Sequence, residues 1–159
     1  MNVAAWDLAL DDFLAHCGAD KGLASASLEA VRFDMARLRR WSEAEGLTSP
    51  AVIKDEHLRA FLLSSAGELA PSSRARLLST LRSFFRFLVA EEQIPVDPSS
   101  TLVAPRRGRK LPVVLTLKQV ERLLDVVDGA KPADLRDRAI LEVLYGCGCR
   151  VSELCGLDV

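Results

Sequence analysis

The segment from Ser72 to Glu92, which follows Pro71, constrains the fold more than any other part of the chain. At ~100° per residue, Leu77, Leu78, Leu81, Phe84, Phe85 and Leu88 fall on one broad face of a helix. Arg76, Ser79, Arg82, Ser83 and Arg86 fall opposite, within an arc of ~120°. No acid lies among them. Solvated helix faces usually interleave Glu with Arg for pairing one turn apart, and this one does not. Small serines allow close approach, and guanidinium forks bind oxygens in pairs. The face therefore suits a phosphate backbone.

Helix signals also dominate elsewhere. Residues 3–16 predict a first helix with Val3, Trp6, Leu10, Phe13 and Leu14 on one side. Ser25 or Ser27 caps a second, whose stripe is Leu28, Val31, Met35 and Leu38 and whose end is Gly46. A third covers about 55–66, with Leu58, Phe61 and Leu62. Thr116-Leu-Lys-Gln119 has capping-box spacing and opens a helix through about Val127, with Val120, Leu123 and Leu124 inward. Pro132 precedes another over about 133–146, in which Leu135, Ala139, Leu141, Val143 and Leu144 are apolar. Pro112-Val-Val-Leu115 is the one strand-like run, and it is short. The fold class is all-α.

The net charge of −1 argues against an anionic partner until its distribution is seen. Residues 71–112 carry eight basic and three acidic residues, and the flanking segments are both net acidic. A basic band in a neutral chain is a candidate phosphate footprint. Within it, residues 93–115 predict a linker. Pro95, Pro98, Pro105 and Pro112 block regular helix, and Arg106, Arg107, Arg109 and Lys110 cluster as a candidate DNA-following segment. Cys17, Cys147, Cys149 and Cys155 lack zinc-site spacing, and His16 and His57 are distant from the last three. They are read as small buried apolar residues, and no metal is expected. No apolar run approaches a membrane span, and the N-terminus does not resemble a signal peptide. A cytoplasmic protein is expected.

Near the C-terminus, Gly146 and Gly148 turn the chain into Arg150, and a short apolar-periodic segment follows. Tyr145-Gly-Cys-Gly-Cys-Arg150-Val-Ser-Glu153-Leu resembles the arginine box of the tyrosine recombinases, the phage-integrase family. The resemblance extends along nearly the whole chain. Ser27-Leu28, Val31, Asp34-Met35, Leu38 and Trp41 follow the family's second-helix pattern, with Val31 and Leu38 in place of aromatics. Ser73, Arg76, Leu78-Ser79 and Leu81 to Leu88 follow its fourth-helix pattern. Asp97-Pro98, Pro105-Arg106 and Leu111-Pro112 resemble its linker, and Leu135 to Tyr145 resembles the helix before the arginine. The Xer branch fits best. Cys147 and Cys149 replace a usual Thr and Leu, which loosens the packing around Arg150.

The resemblance implies a four-helix SAM-like core-binding domain at 1–92, a linker at 93–115, and the first helices of a catalytic domain at 116–159. It implies DNA recombination or integration by transesterification through a phosphotyrosyl link, with a role in chromosome partition for the Xer branch. Arg150 would stabilise the transition-state phosphate, and Glu153 would support it. Double-stranded DNA at a recombination site is the implied partner, and other recombinase protomers are further candidates. No cofactor, membrane or small-molecule substrate is implied. The family's remaining catalytic groups, including its nucleophilic tyrosine, are expected beyond Val159, so the 159-residue chain is expected to bind DNA without cleaving it. Tyr145 and His57 are read as non-catalytic. The alternative is a non-catalytic DNA-binding or protein-interaction module derived from a recombinase.

Overall fold

The computed structural model describes residues 3–104, 113–127 and 129–157, and these are all-helical, with no strand among them. The chain divides into two compact units, Met1–Gly108 and Arg109–Val159. The first contains α1 (Val3–Ala19), α2 (Ser25–Ala44), a single 3-10 turn (Pro50–Val52), α3 (Asp55–Ser64) and α4 (Pro71–Ala90). The second contains α5 (Leu117–Asp125), α6 (Pro132–Cys147) and the one-turn α7 (Val151–Leu154).

In the first unit α4 is the central element. Leu77, Leu78, Leu81, Phe84, Phe85 and Leu88 are each at most 1% exposed. Trp6 and Phe13 of α1, Met35 and Leu38 of α2, and Leu58 and Phe61 of α3 join them in one core. Each such side chain stabilises the fold by about 1.5–3 kcal/mol relative to exposure. The ring centroids of Phe13 and Phe84 are 5.2 Å apart in an edge-to-face arrangement, and Trp41 meets Phe61 at 5.5 Å. On α1 the buried positions are Trp6, Ala9, Phe13 and Cys17; Leu10 and Leu14, assigned to that face by periodicity, are half-buried at its edge. Arg39 of α2 pairs with both Asp7 of α1 and Glu43 of its own helix.

The helix ends follow from backbone chemistry. Pro71 opens α4 at a position where its missing N–H costs nothing. Gly46 has φ 74°, which ends α2 in a left-handed turn. The same turn ends α4, but there a glutamate adopts it. Glu92 has φ 56°, its N–H reaches Val89 O at 3.1 Å, and the Gln93 N–H reaches Leu88 O at 2.9 Å. A side chain in this region costs about 1–2 kcal/mol, and glycine avoids that at some cost in unfolded-chain entropy. Glu92→Gly is expected to stabilise the first unit by about 0.5–1 kcal/mol. A urea midpoint that falls instead would show that the carboxylate does something the backbone geometry does not reveal.

Residues 94–102 lie inside the stretch expected to act as a linker, yet they pack on the first unit. Ile94, Ser99 and Leu102 are buried. Asp97 organises the turn: its Oδ1 accepts from the Ser99 N–H at 2.7 Å and from Ser99 Oγ at 2.6 Å. Thr101 donates to Asp55 of α3, and Arg59 Nη2 donates to Thr101 Oγ1 at 3.1 Å. The Arg59 and Thr101 hydrogen bonds hold the Asp55 carboxyl below its usual range. Proline does block helix here, but a chain without helix still packs when its carbonyls and hydroxyls find partners.

In the second unit no described residue is buried. Val120, Leu124, Leu141, Val143 and Leu144 are half-buried, whereas Leu123, expected to face inward, is 47% exposed, and Leu135 is 57% exposed. The expectation for the cysteines is corrected in part. Cys17 is buried as expected, but Cys147 and Cys155 are exposed and Cys149 is intermediate. Their helix ends at the surface of a unit with no buried interior, so apolar character alone does not bury them.

Candidate functional site

Five polar residues of α4 were singled out by periodicity, and the structure gives them different surroundings. Arg76 lies at the seam between α4 and α2. Its Nη1 donates to Asp34 Oδ2 at 2.6 Å and to Ala30 O at 3.3 Å. Asp34 is 1% exposed and also accepts from Thr80 Oγ1 at 2.8 Å. Burial pushes the Asp34 carboxyl up; the Thr80 bond and the Arg76 charge pull it back without cancelling the effect. Arg76 thus has an internal carboxylate partner that a scan of α4 alone could not reveal. Its side chain remains 44% exposed, leaving part of the guanidinium at the surface.

Arg82 is half-buried and donates to the Leu102 carbonyl, so it also straps the 94–102 segment to α4. Arg86 and Ser79 are exposed, and Arg86 has no ion-pair partner among the described residues. Ser83 accepts from Lys21 Nζ at 2.8 Å. Lys21 was not singled out from sequence. It follows the end of α1, where Gly22 has φ 59°, and its ammonium lies 5.9 Å from the Phe13 ring centroid.

His16, Lys21, Ser79, Arg82, Ser83 and Arg86 line one open cleft of about 510 Å³, together with Phe87, Ala90 and the acid Glu91. His16 Nδ1 is 2.7 Å from Asp20 Oδ2. Three permanent cations and two hydroxyls therefore converge on one open surface, beside Glu91. Such a surface holds anionic oxygens by charge-assisted hydrogen bonds, and it lacks the enclosed apolar wall that a small-molecule site requires. The only hint of Lys21 in the sequence was its place beside a glycine at a helix end. Arg106, Arg107, Arg109 and Lys110 lie outside the described residues.

Arg150 and Glu153 belong to the second unit and are described within it. Gly148 has φ 62° and ends α6, with its N–H reaching Leu144 O at 3.0 Å. Arg150 then takes an extended conformation as the N-cap of α7. Glu153 grips it twice: Oε2 accepts the Arg150 N–H at 2.7 Å, and Oε1 accepts from Arg150 Nη1 at 2.8 Å. These bonds, the backbone one foremost, hold the Glu153 carboxyl below its usual range. The Arg150 side chain is 82% exposed, so most of its fork faces outward. Glu153 orients an arginine that is available to an anion. Tyr145 is 58% exposed on α6. Among the described residues no cluster of His, Cys, Asp and Glu has metal-site geometry, and no helix is long and apolar enough to cross a membrane.

Two family models match this chain. "Phage integrase, N-terminal SAM-like domain" covers residues 10–92, and "Phage integrase family" covers residues 113–159. Among curated proteins, a tyrosine recombinase XerD from Proteus mirabilis is 41% identical over 154 residues, covering 96% of this chain and 49% of its own length. A XerD from Bifidobacterium longum (strain NCC 2705) is 38% identical over 154 residues, covering 94% of this chain and 50% of its own. A XerC from Xanthomonas campestris pv. campestris (strain B100) is 39% identical over 150 residues, covering 94% and 46%. The chain spans about half the length of the curated relatives it matches.

Proposed function

This chain belongs to the phage integrase family, and from that premise we propose that it is the DNA-binding portion of a Xer-type site-specific tyrosine recombinase. The observation that carries the reading is the convergence of Lys21, Arg82 and Arg86 with Ser79 and Ser83 on one open surface of the first unit. These groups bind phosphate oxygens and set the register of the protein on a duplex; they carry no base information themselves. The basic residues Arg106, Arg107, Arg109 and Lys110 extend the footprint along the chain. The domain plan is a core-binding unit, a basic connector and the beginning of a catalytic domain.

In the second unit Arg150 takes the position of the family's first catalytic arginine. In the family reaction a tyrosine oxygen bonds to phosphorus, and the departing 5′ oxygen leaves as a hydroxyl. The phosphoester bond is kept in a protein–DNA link until another 5′-hydroxyl displaces the tyrosine. Charge accumulates on the non-bridging oxygens at each step, and a fixed guanidinium stabilises it. Glu153 is the positioning residue: a carboxylate bound to both the backbone and the side chain of Arg150 limits where the guanidinium can point. Tyr145 lies five residues before Arg150 on α6 and is not assigned as the nucleophile. Within these 159 residues the role assigned to the chain is DNA binding. Its setting is cytoplasmic DNA recombination, with chromosome partition as the process of the Xer branch, and other recombinase protomers are its protein partners.

Duplex binding is expected to be weak and strongly salt-dependent, with Kd of roughly 10⁻⁴–10⁻⁶ M at physiological salt. Arg86→Gln and Lys21→Gln should each reduce the slope of log affinity against log salt by about 0.9. Arg82 is unsuitable for this test because its loss also frees the Leu102 carbonyl. Fluorescence anisotropy over a salt series, with helicity checked by circular dichroism, measures both effects. Affinity that does not change between low and moderate salt would exclude phosphate contacts.

A further inference from the structure

On α2 the apolar stripe faces the core, with one exception. Phe33 is 63% exposed, although Met35 and Leu38 on the same helix are buried. At ~100° per residue, Arg32, Ala36, Arg40 and Phe33 lie within about 100° of arc on the outward face. Arg32 and Arg40 are exposed and have no ion-pair partner among the described residues, unlike Arg37 and Arg39 on the same helix. Two acids, Glu29 and Glu43, also lie on this face, and Glu43 is paired with Arg39.

This surface adjoins the α2–α4 seam. Ala30, whose carbonyl accepts from Arg76, is one turn before Phe33, and Asp34, which also accepts from Arg76, is the next residue. Arg76 therefore links the outward face of α2 to the Arg/Ser face of α4. An exposed aromatic set between unpaired guanidiniums and beside the small Ala36 fits a partner with anionic banks and an apolar strip between them. Phe and Arg also occur at protein–protein interfaces, but this face continues through Arg76 into the Arg/Ser face of α4, and that continuity suits a polyanion. The major groove of duplex DNA fits it well: it is ~12 Å wide, admits a helix of ~10–12 Å diameter, and presents the thymine methyl as its apolar feature.

We propose that Phe33 is a specificity-determining residue that contacts thymine methyl groups in the major groove, with Arg32 and Arg40 holding the flanking phosphates. The inference rests on the DNA-binding reading above and adds base discrimination to it. No such preference follows from the α4 face, which offers only cations and hydroxyls.

Two duplexes of equal length separate the two ideas: alternating dA-dT, and alternating dA-dU, which lacks only the methyl groups. Wild-type chain should bind the thymine duplex roughly fourfold tighter for each methyl buried. Phe33→Ala should bind both duplexes equally with an unchanged salt slope, and Phe33→Leu should keep part of the preference. Arg32→Gln and Arg40→Gln should lower the slope on both duplexes alike. Phe33 is exposed, so these variants should keep the helicity of the parent chain. Equal wild-type affinity for the two duplexes, or a preference that survives Phe33→Ala, overturns the proposal while leaving phosphate binding intact. Tighter binding to single-stranded dT than to either duplex overturns it in favour of aromatic stacking on bases. Absence of salt-dependent binding to any of them would reject DNA binding as a whole.

Discussion

Phe84→Ala is expected to destabilise the first unit by about 3–5 kcal/mol, a large fraction of the ~5–15 kcal/mol that holds a domain together. Phe84 is 0% exposed at the middle of α4. Its ring stacks with Trp6 at 6.4 Å, meets Phe13 edge-on at 5.2 Å, and contacts Phe85 at 5.2 Å. Removing it forfeits the transfer free energy of the ring and leaves a cavity. The rings around it are held by different helices, so they cannot all move to fill the space. Urea unfolding followed by far-ultraviolet circular dichroism reads the effect. The exposed Leu63, at 76%, serves as the reference: Leu63→Ala should change stability by less than about 0.5 kcal/mol. A similar, small loss at both positions would mean that the aromatic cluster does not hold the helices together.

The second large effect is a contrast in hydrogen exchange. Amides of α4 should exchange at least about a hundredfold more slowly than those of α6, a difference of ~3 kcal/mol in opening free energy. Nine residues of α4 are buried, whereas α6 has no buried residue among those described. A helix protected mainly by its own hydrogen bonds opens locally at little cost. Exchange followed by mass spectrometry on peptides from 71–90 and 132–147 measures both helices in one sample. Equal protection would show that half-buried Leu141, Val143 and Leu144 anchor α6 more firmly than their exposure indicates. Charge relations add little to α6, since its Arg136–Asp137 and Arg138–Glu142 pairs are exposed.

Much of the fold was legible because helix periodicity is local. The span expected at Ser72–Glu92 became Pro71–Ala90, and that expected at about 133–146 became Pro132–Cys147. Gly46 was read correctly as a left-handed terminator, whereas Glu92 was not, because its residue type carries no sign of the conformation. Pairing between helices was beyond a local reading. Arg76 looked like its neighbours on α4 until Asp34, 42 residues earlier, proved to be its partner. Lys21 was missed for the same reason: it reaches Ser83 only after α1 and α4 pack together. The segment after α4 was read from its prolines as a spacer, and its burial depends on the hydroxyl chemistry of Asp97, Ser99 and Thr101. The arginine box was legible in sequence order, but the double grip of Glu153 on Arg150 is a matter of distances.

The strap that Arg82 and Asp55 place on residues 94–102 makes this stretch part of the folded first unit instead of slack chain. A spacer running from 93 to 115 would extend to ~75–80 Å, several times the width of a duplex. Docking 94–102 removes its nine residues, about 30 Å of extended length, from that span. In general, shortening a connection raises the effective concentration of what it joins. Cutting the strap, by Asp55→Ala or Thr101→Val, would return that length to the connection while leaving the cleft of Lys21, Ser79, Ser83 and Arg86 intact.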